Sequence, residues 1–134
     1  MDKAAIARLV DSCPFHRFLG LTVEAVDAEA GAVTMSLPLR QEFSRSDEEL
    51  ELHGGITAAF IDIVGDYAIA ALIGRGVPTI NLRVDYLRMG RGGKITGTAR
   101  VVKAGRTIGT VDVVVHDDTG REIAVGRGTY ATGG

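Results

Sequence analysis

The segment from Gly54 to Ile73 is rich in alanine and apolar on nearly every side. A helix that is hydrophobic all round has no face to give to water, so the rest of the chain must wrap it. Small residues at Ala58, Ala59, Gly65 and Ala68 allow a sheet or a partner helix to come close. Two charges, Asp62 and Asp66, interrupt the run and argue against a membrane span. Gly74 follows the last apolar residue and Pro78 comes soon after, which predicts where the helix stops.

The flanking segments read mostly as strands. Leu21, Val23 and Ala25 alternate with Thr22 and Glu24; after a turn at Gly31, Val33, Met35, Leu37 and Leu39 alternate with Thr34 and Ser36. These predict a hairpin. Beyond the helix, Ile80, Leu82, Val84 and Tyr86 alternate with Asn81, Arg83 and Asp85. Further alternating runs follow around 95–101, 110–115 and 121–131. Turn signals separate them at Gly90-Arg91-Gly92-Gly93, Gly105 and Asp117-Asp118-Thr119-Gly120. Consecutive strands with tight turns are expected to pair antiparallel. Residues 3–12 predict a short helix that Pro14 ends, and the acidic stretch 40–51 reads as a mobile or solvated loop. The expected architecture is α+β: one antiparallel sheet wrapped around one long central helix, as a single domain over 1–134.

A chain of 134 residues can bury a core without disulfides or metals. Its net charge of -2 is unlike that of a duplex-binding domain, so no nucleic-acid partner is expected. The lone Cys13 excludes an internal disulfide and suits a reducing cytoplasm, and residues 1–3 lack signal-peptide character. Hydrophobic residues make up 46% of the chain, enough that a second subunit is expected to cover part of the surface.

Asp62 stands in the middle of the apolar helix, where an ionised carboxylate is costly unless paired. It reads either as a structural ion-pair member or as a nucleophile or general base in a cleft. Asp66, one turn later, shares its face and could interact with it, but reads more as the partner of a charge or of solvent. His53-Gly54-Gly55 opens the helix, and free amides at such an N-terminus can stabilise developing negative charge. Gly54 and Asp62 are about 12 Å apart along one helix at ~1.5 Å per residue. Both would have to lie within about 3–3.5 Å of the reacting atoms. One helix cannot easily supply both, so a shared substrate would require two subunits related by a two-fold axis. Asn81, Arg88, Arg91, Lys103 and Arg106 are weaker candidates, the cations for phosphate. His16 and His116 are isolated, no metal-ligand spacing occurs, and Gly90–Gly93 and Gly126–Gly128 make neither a P-loop nor a dinucleotide fingerprint.

His53-Gly54-Gly55-Ile56-Thr57-Ala58-Ala59-Phe60-Ile61-Asp62 resembles the central-helix motif of the hotdog-fold thioesterases of the phenylacetate-degradation type. Val84-Asp85-Tyr86-Leu87-Arg88 is similar to their next strand, Val102 to Thr107 to a later strand-turn signature, and Pro14-Phe15 through Leu19-Gly20 to their N-terminal region. The resemblance implies hydrolysis of an acyl- or aryl-acyl-CoA to free acid and CoA, without metal or cofactor. It implies Asp62 as the catalytic acid and the Gly54 amide as the oxyanion donor, with Asn81 near a position where relatives often carry a small polar residue; His53 and Gly55 at the helix start, and Arg88 and Arg106 for phosphate, are the other expected substrate contacts. It also implies a dimer, often paired into a tetramer. Relatives commonly carry Asn or Gln about six residues before the motif histidine; this chain has Asp47 there. That departure keeps a non-catalytic acyl-CoA-binding module as the alternative. A hydratase ranks below it, since His53 has no acidic partner in sequence.

Overall fold

The computed structural model describes residues 1–134. Its centre is helix α3, Gly54–Ile73, with the bounds the apolar run predicts. Phe60, Ile61, Val64, Ala68, Ile69 and Ala70 are fully buried on it. Each large apolar side chain among them contributes about 1.5–3 kcal/mol by leaving water. His53 caps its start, and Gly74 ends it in the left-handed conformation (φ 89°), its amide returning to the Ala70 carbonyl.

Six antiparallel strands surround the helix: β1 (Thr22–Asp27), β2 (Ala32–Pro38), β3 (Thr79–Tyr86), β4 (Lys94–Ala104), β5 (Ile108–Asp117) and β6 (Glu122–Ala131). α3 packs against every one of them. The sheet closes on the helix where its inner face lacks side chains. A Cβ on Gly97 would lie 2.8 Å from the Phe60 ring, and one on Gly126 would lie 2.7 Å from Ile61.

The spatial order is β1-β2-β4-β5-β6-β3. This corrects the expectation that each strand pairs with its sequence neighbour. The β1–β2, β4–β5 and β5–β6 hairpins form, but β3 crosses the sheet to pair with β6 rather than β4. Residues 87–93 are therefore a connection and not a tight turn. β3 becomes an edge strand, and Ile80 and Tyr86 of its apolar face are more than half exposed, at 52% and 55%.

Three local expectations also need correction. Pro14 does not only stop helix α1 (Lys3–Ser12); it begins a second helix, α2 (Pro14–Leu19), at the first helical position, where its missing N–H costs nothing. In β1 the register shifts between Val23 and Ala25, so the simple alternation fails there and Ala25 is exposed. The stretch 40–51 is solvated over much of its length, as expected, but organised rather than loose. Phe43 is buried, the Ser44 hydroxyl accepts from the Ser46 and Glu51 amides, and Arg40 lies over the Phe18 and Phe43 rings at 4.6 and 4.2 Å. The Phe43 carbonyl then accepts from the His53 amide at 2.8 Å, which fixes how the chain enters α3.

Candidate active site

At the start of α3 the His53 ring nitrogen Nδ1 accepts from the Gly55 amide at 2.8 Å. The His53 carbonyl takes the Ile56 and Thr57 amides. The Gly54 amide takes no part in these capping bonds and sits at the positive end of the helix dipole. On its other side, the Gly54 carbonyl accepts from the Tyr86 hydroxyl at 2.6 Å, tying the end of β3 to the helix start. A cleft of about 580 Å³ opens here, walled by Arg45, Leu52, Gly54, Gly55, Tyr86 and Arg88 among others. Two guanidiniums at the rim of such a cleft suit an anionic ligand.

Asp62 does not line that cleft. It lies half-buried two turns along α3, and the Thr79 hydroxyl at the start of β3 donates to its Oδ1 at 2.7 Å. The buried Tyr130 hydroxyl donates to the Asp62 backbone carbonyl at 3.0 Å. Burial, then the Asp62 and Asp66 charges, push the Tyr130 phenol well above its ordinary range, so it remains a donor. Asp66 is also half-buried and accepts from the Val77 amide at 3.2 Å. Burial, more than the neighbouring Asp62 charge, raises its carboxyl to about 6, against the lowering effect of the Val77 bond. This corrects the expectation that Asp66 faces a charged partner or open solvent. Tyr67 and His16 meet at 3.1 Å between the phenol oxygen and Nδ1, so His16 is not isolated; burial lowers its pKa.

The expected site residues thus fall into two groups. Gly54, Gly55 and Arg88 share one cleft, with His53 as the cap beside it. Asp62 belongs to the opposite end of β3. Asn81 is exposed on that edge strand and makes no bond to Asp62; Thr79, two residues earlier, does. Arg106 is in the β4–β5 turn, next to Thr107, whose carbonyl accepts from Thr132 just past the end of β6 that pairs with Thr79. Asp47 is exposed, and Arg91 is paired with Glu49 and Glu51 at 3.1 Å each. Sequence reasoning missed Thr79, Arg45 and the tie from Tyr86. A threonine at the head of an alternating strand was the only signal for the first. A second hollow of about 370 Å³ on the outer sheet face is lined by Arg83, Asp85, Asp112 and Arg127, which pair with one another.

The family model described as thioesterase superfamily matches residues 51–124. A Halobacterium salinarum protein named as an esterase is 36% identical over 141 residues, covering 96% of this chain and 91% of that protein. The medium/long-chain acyl-CoA thioesterase YigI of Escherichia coli is 28% identical over 135 residues, covering 90% of this chain and 86% of YigI. Among solved structures, a thioesterase-superfamily protein superposes with a TM-score of 0.89 at 34% identity, with 96% of each chain covered. The Escherichia coli PaaI protein shares the fold, with a TM-score of 0.85 at 21% identity over 96% of this chain and 90% of PaaI.

Proposed function

The chain belongs to the thioesterase superfamily, in the hotdog fold of the phenylacetate-degradation type, and on that premise we propose that it hydrolyses acyl-CoA thioesters at a cleft shared by two subunits. Asp62 drives attack on the thioester carbonyl, directly or through a water that it deprotonates. The oxygen that becomes negative is held by the Gly54 amide of the other subunit. The carbon–sulfur bond then breaks and the CoA thiolate takes a proton; on the direct route water next cleaves the acyl anhydride formed on Asp62, and on either route free acid and CoA leave. Arg45 and Arg88 at the rim meet the anionic nucleotide end of CoA.

The observation that supports this reading is that the contacts of Asp62 and Gly54 lie at opposite ends of β3, an edge strand with one side unpaired. Thr79, bonded to Asp62, begins β3, and Tyr86, bonded to Gly54, ends it. β3 is the last strand of the sheet, so its outer edge is free to pair. Antiparallel pairing of β3 with its own copy about a two-fold axis sets the Thr79 end of one strand opposite the Tyr86 end of the other. Each acid then faces the helix start of the other chain. Within one chain the same groups are separated by about 12 Å of helix. Exposed Ile80 and Tyr86 on the same strand support a covered surface here.

The test is thiol release from a panel of alkyl- and aryl-CoA esters, followed by a thiol reagent. Wild-type protein is expected to release CoA, and Asp62→Asn and Asp62→Ala to lose at least about 100-fold in kcat with the oligomer intact. Wild-type turnover in either variant would remove Asp62 from the mechanism.

A further inference from the structure

Asp66 is a half-buried carboxylate near this site that the mechanism leaves unused. Asp62 and Asp66 are one helical turn apart and grip the same short segment at two points. Asp66 Oδ1 accepts from the Val77 amide at 3.2 Å, and the Thr79 hydroxyl donates to Asp62 Oδ1 at 2.7 Å. Pro78 stands between the two contacts, stiffening the link, and its carbonyl accepts from the Ala131 amide of β6 at 2.9 Å. Upstream, the Gly74 amide donates to the Ala70 carbonyl and the Arg75 guanidinium donates to the Thr132 carbonyl. Gly74 and Gly76 have nothing within 4 Å of where a side chain would start, and both are exposed. Between those ties and Val77 lies Gly76, whose backbone is permissive, so the position of the segment that carries Thr79 depends on what holds it further on.

A charged group is an expensive way to hold one amide. Burial and the Asp62 charge both oppose ionisation of Asp66. Its one hydrogen bond is to Val77, and Val77 is buried. The contact therefore acts on the segment that delivers Thr79.

We propose that Asp66 is a positioning residue for thioester hydrolysis: by holding the Val77 amide it keeps the Thr79 hydroxyl on the Asp62 carboxylate, and so holds that carboxylate in one orientation. This rests on the assignment of Asp62 as the acid. The side chain need not touch substrate.

Steady-state thiol release on the full-length protein tests it. Asp66→Ala should lower kcat about 10-fold with KM within about 3-fold, because orientation and not binding is lost. Asp66→Asn, which keeps an oxygen acceptor for the amide, should restore kcat to within about 3-fold of wild type. The double variant Asp66→Ala/Thr79→Ala should be no slower than Thr79→Ala alone, within about 2-fold, since both remove one chain of contacts. A merely structural role would instead give losses that multiply, with no recovery in the asparagine variant. Should Asp66→Ala not fold, Asp66→Leu provides the same loss of acceptor at larger volume. In the wild type, the Val77 amide should exchange with deuterium at least about 100-fold more slowly than that of exposed Gly76. Wild-type kcat in Asp66→Ala, multiplying losses in the double variant, or an unprotected Val77 amide each overturn the proposal while Asp62→Asn stays inactive. Full activity in Asp62→Asn overturns the assignment of the acid and this inference with it.

Discussion

The Thr79 hydroxyl donates to the Asp62 carboxylate at 2.7 Å, joining the first residue of β3 to the middle of α3. A carboxylate two turns into an apolar helix is thereby given a fixed partner instead of a choice of rotamers. Replacing Thr79 by alanine should lower kcat about 10-fold through lost orientation, with KM little changed. Thr79→Ser keeps the donor and should recover most of the activity. Because Thr79 is exposed in the single chain, the loss of stability should be about 1 kcal/mol or less. Kinetics and urea denaturation of the three proteins check both parts.

The edge position of β3 ties activity to assembly. Ile80, 52% exposed on that strand, is expected at the contact between two copies. Ile80→Glu places like charges on the two facing strands, which opposes their pairing. Light scattering should show a shift to monomer, and thiol release should fall with it. A monomer with full turnover would end the shared-cleft reading.

Asp66 gives the fold a pH dependence whose sign is set by its environment. Burial raises its carboxyl to about 6, above the ordinary carboxylate range it has when unfolded. The folded state therefore holds the proton longer, and stability from this group declines as pH rises from about 4 to 6. Above that window the full cost of an ionised buried group is present; below it the cost is absent. Asp66→Asn should therefore stabilise the protein at pH 7.5 by about 1–3 kcal/mol and make no difference near pH 4. Denaturation curves at the two pH values read this directly.

Gly65 is a packing position on α3 where only a missing side chain fits. A Cβ there would lie 2.3 Å from the hydroxyl oxygen of the fully buried Tyr130. Gly65→Ala should cost about 1–3 kcal/mol from overpacking, although alanine is the better helix former. It should also displace the donor to the Asp62 carbonyl. Adding Tyr130→Phe removes the clashing oxygen and should recover part of the loss in urea denaturation.

Much of this protein was legible in its sequence because local patterns carried it. The apolar run with Gly74 beyond it set the bounds of α3, since a helix with no polar face can only be a core. Alternation located the strands, turn residues marked three hairpins, and His53-Gly54-Gly55 and Asp62 marked the two positions on which the proposed chemistry rests. Tertiary structure alone decided that β3 leaves β4 for the far edge beside β6, which makes it an edge strand whose two ends bond Asp62 and Gly54. It also decided that Thr79, rather than Asn81, meets Asp62, that Asp66 reaches Val77, and that Arg45 joins Arg88 at the cleft. Those contacts depend on strand order and register, where a shift of one residue turns each side chain to the other face. Periodicity within a strand reports which residues share a face, but it carries no record of which strand lies alongside.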